Sequence, residues 1–195
     1  MGHHHRHRRG RRRGRRQKIA ELVQDREALV AALRERGVDW LAPSDAEGAQ
    51  IPDEILIASL AANEDARLRQ ALIGLFLLHP VLAPLVLKLR PEMEAAAEIE
   101  LIAHYTAAVY LQRMWRVRLA HYLPPFADLP DYFSKELSLP APEDEYGKTG
   151  LYALAAWHTE HSPQRANHLS EYECVADLLF ERLKSKVKHV ATSLS

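Results

Sequence analysis

Hydrophobic positions along this chain recur at the three- and four-residue spacing that is typical of α-helices. The first such segment runs from about Gln17 to Arg36, Gly37 follows as a stop signal, and the apolar face is formed by Ile19, Leu22, Val23, Val30 and Leu33. Strand-like alternation bounded by hairpin turns is missing, and so is a repeat of 20 to 50 residues. The pattern therefore predicts an all-α fold: a single multi-helix domain with about six to seven helices, one of them long.

Short loops and proline residues divide the first half of the chain into further helices. Residues 37–50 are rich in Gly, Pro, Ser and Asp and are predicted to form a loop. Pro52 then opens a short helix that extends to about Ala62. Asn63 is the predicted N-cap of a third helix that continues toward His79, because its side chain can accept a hydrogen bond from the first turn.

Two longer apolar segments follow. Pro80 and Pro84 allow a short helix to about Arg90, and the nearly all-round apolar hairpin that it forms with the preceding helix is the predicted core. Pro91 opens the longest predicted helix, 92 to about 123, which would span roughly 48 Å at 1.5 Å per residue. A helix of that length is expected to extend beyond the domain or to line an oligomer interface.

An irregular segment from about residue 124 to 150, rich in Pro, Asp and Glu, is predicted after the long helix. Its aromatic residues indicate packing onto the domain and are Phe126, Tyr132, Phe133 and Tyr146. A helix from about Leu151 to Glu160 is predicted next. Ser170 and Glu173 form a capping-box pattern that predicts the start of a last amphipathic helix.

Charge is distributed unevenly along the chain. The first 16 residues contain eight arginines and no acidic residue, and the whole chain of 195 residues has a net charge of zero with neutral histidines. Residues 17–195, the predicted helical domain, therefore carry a net charge of −8. Residues 1–16 have no aliphatic side chain to bury after Met1, so they are predicted to form a disordered basic arm.

Arginine binds phosphate through two parallel hydrogen bonds, so the arm is expected to contact RNA or DNA without reading its sequence. The candidate residues are Arg6, Arg8, Arg9, Arg11, Arg12, Arg13, Arg15 and Arg16. Three alternatives stay open: docking on the acidic domain of the same or a neighbouring subunit, a solubility or cloning segment, and an anionic membrane surface. A fourth is metal chelation by the cluster His3, His4, His5 and His7, which also resembles part of a purification tag.

The long predicted helix carries a second candidate nucleic-acid surface. Arg113 and Arg116 share one face of that helix, and aromatic residues lie alongside them. The surface is suited to an anion or to RNA. The alternative is that both arginines form ion pairs with Glu98, Glu100 or the loop carboxylates of residues 143–145.

The segment from Arg116 to His121, Arg-Val-Arg-Leu-Ala-His, resembles the Arg-x4–6-His motif of HEPN-type ribonucleases, which are all-helical and often act as toxins. The resemblance covers six residues of one helix. It implies that Arg116 stabilises a phosphate and that His121 transfers a proton during attack by the 2′-hydroxyl group. Val117 stands where the family has a polar residue, and positions five apart lie about 140° from each other on a regular helix.

Metal ligation is a further hypothesis for the second half of the chain. His158 and His161 are three residues apart and share a helical face, and His168 could return across the turn at Pro163. The spacing is not that of a zinc protease, which needs two histidines four residues apart. Surface or capping roles are the simpler interpretation of these histidines.

The remaining features exclude classes of protein rather than identify one. A nucleotide loop, a serine hydrolase elbow and a dinucleotide-binding turn are missing, so no cofactor is expected. The single cysteine, Cys174, cannot form an internal disulfide, and no apolar segment reaches membrane-spanning length, which indicates a cytoplasmic protein. We expect a non-enzymatic accessory protein that binds nucleic acid through its arm and assembles with protein partners or with itself. The alternatives are the ribonuclease and a pure protein-interaction module.

Overall fold

A computed structural model describes residues 21–41 and 50–193 of the chain, and these residues form an all-α structure. Within the described ranges there are eight α-helices, joined by loops and three short 3-10 turns. They are α1 (Arg26–Glu35), α2 (Asp53–Ala61), α3 (Ala66–Leu78), α4 (Ala83–Leu89), α5 (Ala95–Met114), α6 (Arg116–Tyr122), α7 (Lys148–His161) and α8 (His168–Ser193). The predicted all-α class is confirmed, although these residues contain eight helices rather than the predicted six to seven. The predicted arm, residues 1–16, lies outside the described residues.

The first helix is shorter than the periodicity predicts. The predicted start at Gln17 lies outside the described residues, but residues 21–25 are not helical and α1 begins at Arg26. Asp25 is the N-cap, because its side chain accepts a hydrogen bond from the backbone N–H of Glu27 at 3.1 Å. Apolar Leu22 and Val23 pack against the core from an extended segment, so hydrophobic spacing alone overestimated the helix.

Helices α2 and α3 lie close to their predicted positions. Pro52 precedes α2 as expected, but Asn63 is not the N-cap of α3. Asp65 takes that role, because its side chain accepts from the N–H of Arg67 at 2.9 Å, while the Asn63 side chain accepts from the N–H of Asp65. Both residues are good caps, and the chain uses them in succession as a turn before the helix.

The prolines at 80, 84 and 91 confine the next segment to the short helix α4 between two 3-10 turns, Pro80–Leu82 and Arg90–Glu92. The predicted burial is confirmed for α3, but Val81 is 82% exposed and Leu87 is also exposed. Among the described residues no single helix is long and apolar enough to cross a membrane. One bent pair, Ala66–Leu78 with Pro80–Glu92, meets the length and composition criteria together, with an angle of 109° between its two parts.

The prediction of one continuous helix from Glu92 to Leu123 is wrong. Helix α5 ends at Met114, Trp115 adopts a non-helical conformation (φ −111°, ψ 17°), and α6 begins at Arg116. The break turns α6 onto α8, where the Trp115 ring meets Phe180 edge to face with 5.8 Å between centroids. The longest described helix is α8 with 26 residues, and α5 with 20 residues is buried along most of its length.

The predicted irregular segment is confirmed between α6 and a 3-10 turn at Asp144–Gly147, although α7 already begins at Lys148. Phe133 is buried, and Phe126 and Tyr132 pack against the core, but Tyr146 is 81% exposed. Helix α8 begins at His168, and the capping box at Ser170 is not formed. Instead the side chain of Asn167 accepts a hydrogen bond from the N–H of Ser170 at 3.1 Å.

Helix α5 is the centre of the core and packs against α2, α3 and α7, while α8 packs against α3, α6 and α7. Close helix contact is possible at Gly150 of α7, where a Cβ atom would lie 2.1 Å from the ring of Tyr110 on α5. The irregular segment is fastened to α5 by hydrogen bonds from the Tyr105 hydroxyl to the Pro130 carbonyl and from the Tyr110 hydroxyl to the Pro140 carbonyl. This arrangement positions three polar groups of interest.

Candidate functional site

Arg113 and Arg116, the predicted nucleic-acid surface, both contact the irregular segment. Arg113 donates hydrogen bonds to the Gln112 side chain at 2.8 Å and to the Leu129 carbonyl at 3.0 Å, and its Nε lies 3.5 Å from Glu143 Oε1. Its side chain is only 13% exposed. The predicted alternative of pairing with residues 143–145 thus describes Arg113, which anchors the segment to α5.

Arg116 is more accessible than Arg113. It forms an ion pair with Asp128, a loop carboxylate outside the predicted set of partners, and the two side chains are 52% and 47% exposed. An ion pair at such an exposed position contributes about 0 to 1 kcal/mol, so a phosphate could replace the carboxylate at little cost. Of the two arginines, Arg116 is therefore the one that a ligand can reach.

Helix α6 also carries His121, the second residue of the ribonuclease-like pattern. His121 is exposed in the last turn of α6 and meets Tyr122 edge to face, with 4.8 Å between ring centroids. Arg118 stacks over the ring of Phe180 at 3.9 Å and lies 5.7 Å from that of Trp115, so these rings already have a cationic partner. The contacts of Arg116 and His121 are with Asp128 and Tyr122, and the assignment of both to catalysis stays a prediction.

The described part of the chain contains a third group, a buried polar cluster between α3, α5, α7 and α8. Its members are Arg69, Glu100, His104, His158, Ser162, His168 and Tyr172. All seven are less than 10% exposed. Buried polar groups are costly unless each is bonded, so their arrangement must be accounted for atom by atom.

The Glu100 carboxylate is the centre of this polar cluster. Its Oε1 accepts a hydrogen bond from Ser162 Oγ at 2.8 Å and lies 3.2 Å from His158 Nε2. Its Oε2 accepts from Arg69 Nε at 3.2 Å and lies 3.6 Å from His104 Nδ1. The carboxylate therefore has one cationic partner, Arg69, and its other neighbours come from α5 and from α7 with the turn that follows it.

Arg69 also donates hydrogen bonds to two backbone carbonyls and to a second side chain. Its Nη1 donates to the carbonyls of Asn63 and Glu64 at 2.7 and 2.8 Å, and its Nη2 donates to the side chain of Gln164. The guanidinium group thus uses donors on all three nitrogens, as a planar fork can do and a lysine could not. It connects the start of α3 to α5 and to the turn between α7 and α8.

The histidines of the polar cluster each have a bonded Nδ1. His104 Nδ1 lies 2.7 Å from the Glu100 carbonyl, and because a carbonyl only accepts, this nitrogen carries a proton. His158 Nδ1 is 2.7 Å from the Tyr172 hydroxyl, and His168 Nδ1 is 2.9 Å from Glu171 Oε2. The Nε2 atoms of His158 and His168 are buried without a hydrogen-bond partner; the 3.2 Å contact of His158 with Glu100 is not aligned as one.

Burial and charge shift the pKa values in this region. Burial alone would raise the pKa of Glu100, but the contact with His158, the charge interactions with His104 and His158 and the Ser162 hydrogen bond outweigh it and lower the pKa to about 2. Burial, reinforced by His158, lowers the pKa of His104 to about 3 despite Glu100. Burial and His158 also lower the pKa of His168, and burial raises that of Tyr172.

The three histidines of the metal hypothesis are not brought together. His161 is exposed, stacks on Trp157 and bonds to the Trp157 carbonyl through Nδ1. The rings of His158 and His168 lie face to face, 3.6 Å apart at 20°, so their ring-plane lone pairs do not converge on one point. Within residues 21–41 and 50–193, no group of three His, Cys, Asp or Glu side chains is arranged to hold a metal ion.

His158 and His168 were candidates from the sequence, whereas Arg69 and His104 were not. Glu100 was predicted only as a possible ion-pair partner of Arg113 or Arg116, and in the structure it pairs with Arg69 instead. One signal was available: Glu100 and His104 are four residues apart, hence on one face of an otherwise apolar helix. Their partners come from positions 31 to 62 residues away, which spacing along the chain does not reveal. The eight arginines of the arm lie outside the described residues.

An open groove lined mainly by apolar residues lies on another face of the domain. It has a volume of about 570 Å³ and is formed by residues 78–84, around the end of α3 and the start of α4, and by residues 123–130 after α6. Val81 and Pro84 are exposed there, and Phe126 is partly buried. The groove is separate in its lining residues from the polar cluster.

Comparisons with protein-family models, with curated proteins and with solved structures give no match to this chain.

Proposed function

We propose that this chain is a non-enzymatic helical accessory protein that binds nucleic acid through its basic arm and assembles with protein partners. One observation carries the proposal: residues 1–16 contain eight arginines and no acidic residue, whereas residues 17–195 carry a net charge of −8. A phosphate backbone attracts the first segment and is repelled by the second. The binding would be independent of base sequence, because contacts to phosphate carry no sequence information.

The folded residues support an auxiliary contact at Arg116 rather than at Arg113. Arg116 is half exposed and its ion pair with Asp128 can be exchanged for a phosphate, while Arg113 is held by the Leu129 carbonyl. Assembly with a protein partner or a second copy is supported by the apolar groove, where the 82% exposed Val81 leaves apolar surface open to solvent.

Fluorescence anisotropy with labelled random-sequence RNA and DNA tests the proposal. The full chain is titrated at several salt concentrations beside a variant in which all eight arm arginines are replaced by glutamine. With single strands, the slope of log affinity against log salt should approach about −0.7 per phosphate engaged, and the variant should lose most of that slope. A matched control replaces His3, His4, His5 and His7 by glutamine. It keeps the arginines, so it should bind as the full chain does.

Two results would overturn the proposal. The absence of binding at near-physiological salt, with no effect of the arginine replacements, would favour the pure interaction module. RNA cleavage that disappears in H121A and in R116A would favour the HEPN-like ribonuclease instead. Gel analysis of the RNA recovered from the same titrations distinguishes binding from cleavage.

A further inference from the structure

The C-terminal part of α8 is largely exposed to solvent. Leu183 is the last buried residue of the helix, and residues 184–193 are exposed except for the partly buried Ser185. Ten helical residues correspond to about 15 Å. We call residues 184–193 the basic end of α8.

The first half of the basic end of α8 is rich in basic residues. The basic end contains Lys184, Lys186, Lys188 and His189, and its nearest acidic residue in the sequence is Glu181. Lys184 and Lys188 are four residues apart and share one face of the helix. None of the three lysines forms an ion pair with another residue of the described chain.

The helix dipole does not account for this arrangement. Cations stabilise a helix C-terminus only within its last turn, and Lys184 lies nine residues before Ser193. Lys186 approaches the body, where its charge affects Asp39, but that carboxylate is already bound by Arg182 at 2.7 Å. Lys184 and Lys188 are exposed, and neither forms an ion pair in the part of the chain that the structure describes. Their positive charge is available to a ligand.

Charge and shape select among the possible ligands. A second copy of this helix would place lysines opposite lysines, and the large exposed hydrophobic residues within 184–193 are Val187 and Val190, too few for a helix pair. Insertion into a membrane surface needs a wide apolar face, which two valines do not form. A phosphate backbone needs only an exposed row of cations.

We propose that the basic end of α8 is a second contact for the nucleic-acid backbone, separate from the arm. This inference rests on the proposed function and adds residues to it. Lysine acts here as a point charge on a flexible stem, so it can follow a phosphate chain without fixing its register. The folded domain, whose net charge opposes nucleic acid, would thereby bind through an exposed basic segment at the end of α8.

The test replaces Lys184, Lys186 and Lys188 by glutamine in the full chain and measures binding of a random 30-nucleotide RNA by anisotropy. Affinity at low salt should fall on the order of tenfold, and the magnitude of the log–log salt slope should fall by up to about 2, or 0.7 per lysine. The matched control is K88Q/K135Q/K148Q, which changes the net charge equally at three exposed lysines elsewhere. Replacement of Lys184, Lys186 and Lys188 by arginine should preserve binding.

The outcomes separate this inference from the proposed function. Failure of the unaltered chain to bind RNA would overturn both. Binding by the unaltered chain with equal losses in the two lysine-to-glutamine variants would overturn only the role of α8. If the variant lacking Lys184, Lys186 and Lys188 kept its RNA affinity but bound phosphatidylserine vesicles less tightly, the basic end of α8 would be a membrane contact and not a nucleic-acid contact. Circular dichroism melting checks that both variants fold, since exposed lysines contribute little to stability.

Discussion

At the scale of single residues, Glu100 shows how this protein keeps a charge inside its core. The carboxylate is 6% exposed, and it is stabilised by Arg69, by the Ser162 hydroxyl and by the nearby histidines. Arg69 is equally buried and donates to two carbonyls of the loop before α3. The buried pair is therefore close to neutral, and each of the three guanidinium nitrogens of Arg69 donates to at least one acceptor.

Replacing one partner of this pair should be much more costly than replacing a surface partner. We expect R69M to lower the free energy of unfolding by about 3 to 5 kcal/mol, because Glu100 keeps its buried charge and loses its cation. The control is R116M, which removes the exposed ion pair with Asp128 and should cost at most about 1 kcal/mol. Urea unfolding followed by circular dichroism measures both. Equal losses in the two variants would contradict the account of Glu100 as a buried, paired carboxylate.

At the scale of helices, α5 and α7 are in contact because α7 has a glycine where the two cross. A Cβ atom at Gly150 would lie 2.1 Å from the Tyr110 ring, and that ring is fixed by burial and by its hydrogen bond to Pro140. Alanine is normally the better helix residue by about 1 kcal/mol. The contact with Tyr110 reverses this preference.

We therefore expect G150A to destabilise the protein by about 1 to 3 kcal/mol, as overpacking does, despite the gain in helix propensity. The same substitution in a Y110L background should cost clearly less, since the obstructing ring is gone. A double-mutant cycle of thermal or urea unfolding gives the coupling between the two positions. A coupling near zero would show that the crossing does not depend on the glycine.

The helical pattern of the sequence predicted the fold class, and local signals located α2, α3 and α7 to within a few residues. It did not predict the break at Trp115, because no proline or glycine marks it and the apolar spacing continues. The break follows from packing of Trp115 and Tyr122 near Phe180, which is more than 55 positions away. The same limit applies to capping, where Asp65 and Asn167 took roles that equally suitable neighbours could have filled.

The candidate site was predictable only in part, for a related reason. His158 and His168 stand out because histidine is uncommon and their spacing is short. Arg69 and Glu100 are residue types that usually lie on the exposed face of an amphipathic helix. They are buried here because α3 and α7 pack against α5. The burial that makes them unusual is a tertiary property.

At the scale of the whole molecule, the polar cluster connects α3, α5, α7 and α8. Its protonation should therefore affect the stability of the entire fold. The charged groups facing it are Arg69 from α3, Glu100 from α5 and Glu171 from α8, and the titratable groups are His104, His158, His168 and Tyr172. A charge that protonation creates on one of these groups cannot be solvated by water, since all of these residues except Glu171 are buried. Acid should therefore unfold the protein through this core.

The direction of the pH dependence of stability follows from the pKa values of His104 and Glu100. In the folded protein these are about 3 and about 2, below the ordinary values of 6.5 and 4.5. The unfolded chain binds a proton at His104 from about pH 6.5 downward that the folded chain does not bind, and the same holds for Glu100 below about pH 4.5. The free energy of unfolding must then fall as the pH falls, by up to about 1.4 kcal/mol per pH unit for each group.

Urea unfolding between pH 7 and pH 5 should show this loss of stability. H104Q should reduce the slope of the free energy of unfolding against pH near pH 5 by up to about 1.4 kcal/mol per pH unit. H161Q, which alters an exposed histidine outside the cluster, is the control for the loss of a histidine side chain. An H104Q slope equal to that of the unaltered chain would mean that His104 is not held neutral by its burial.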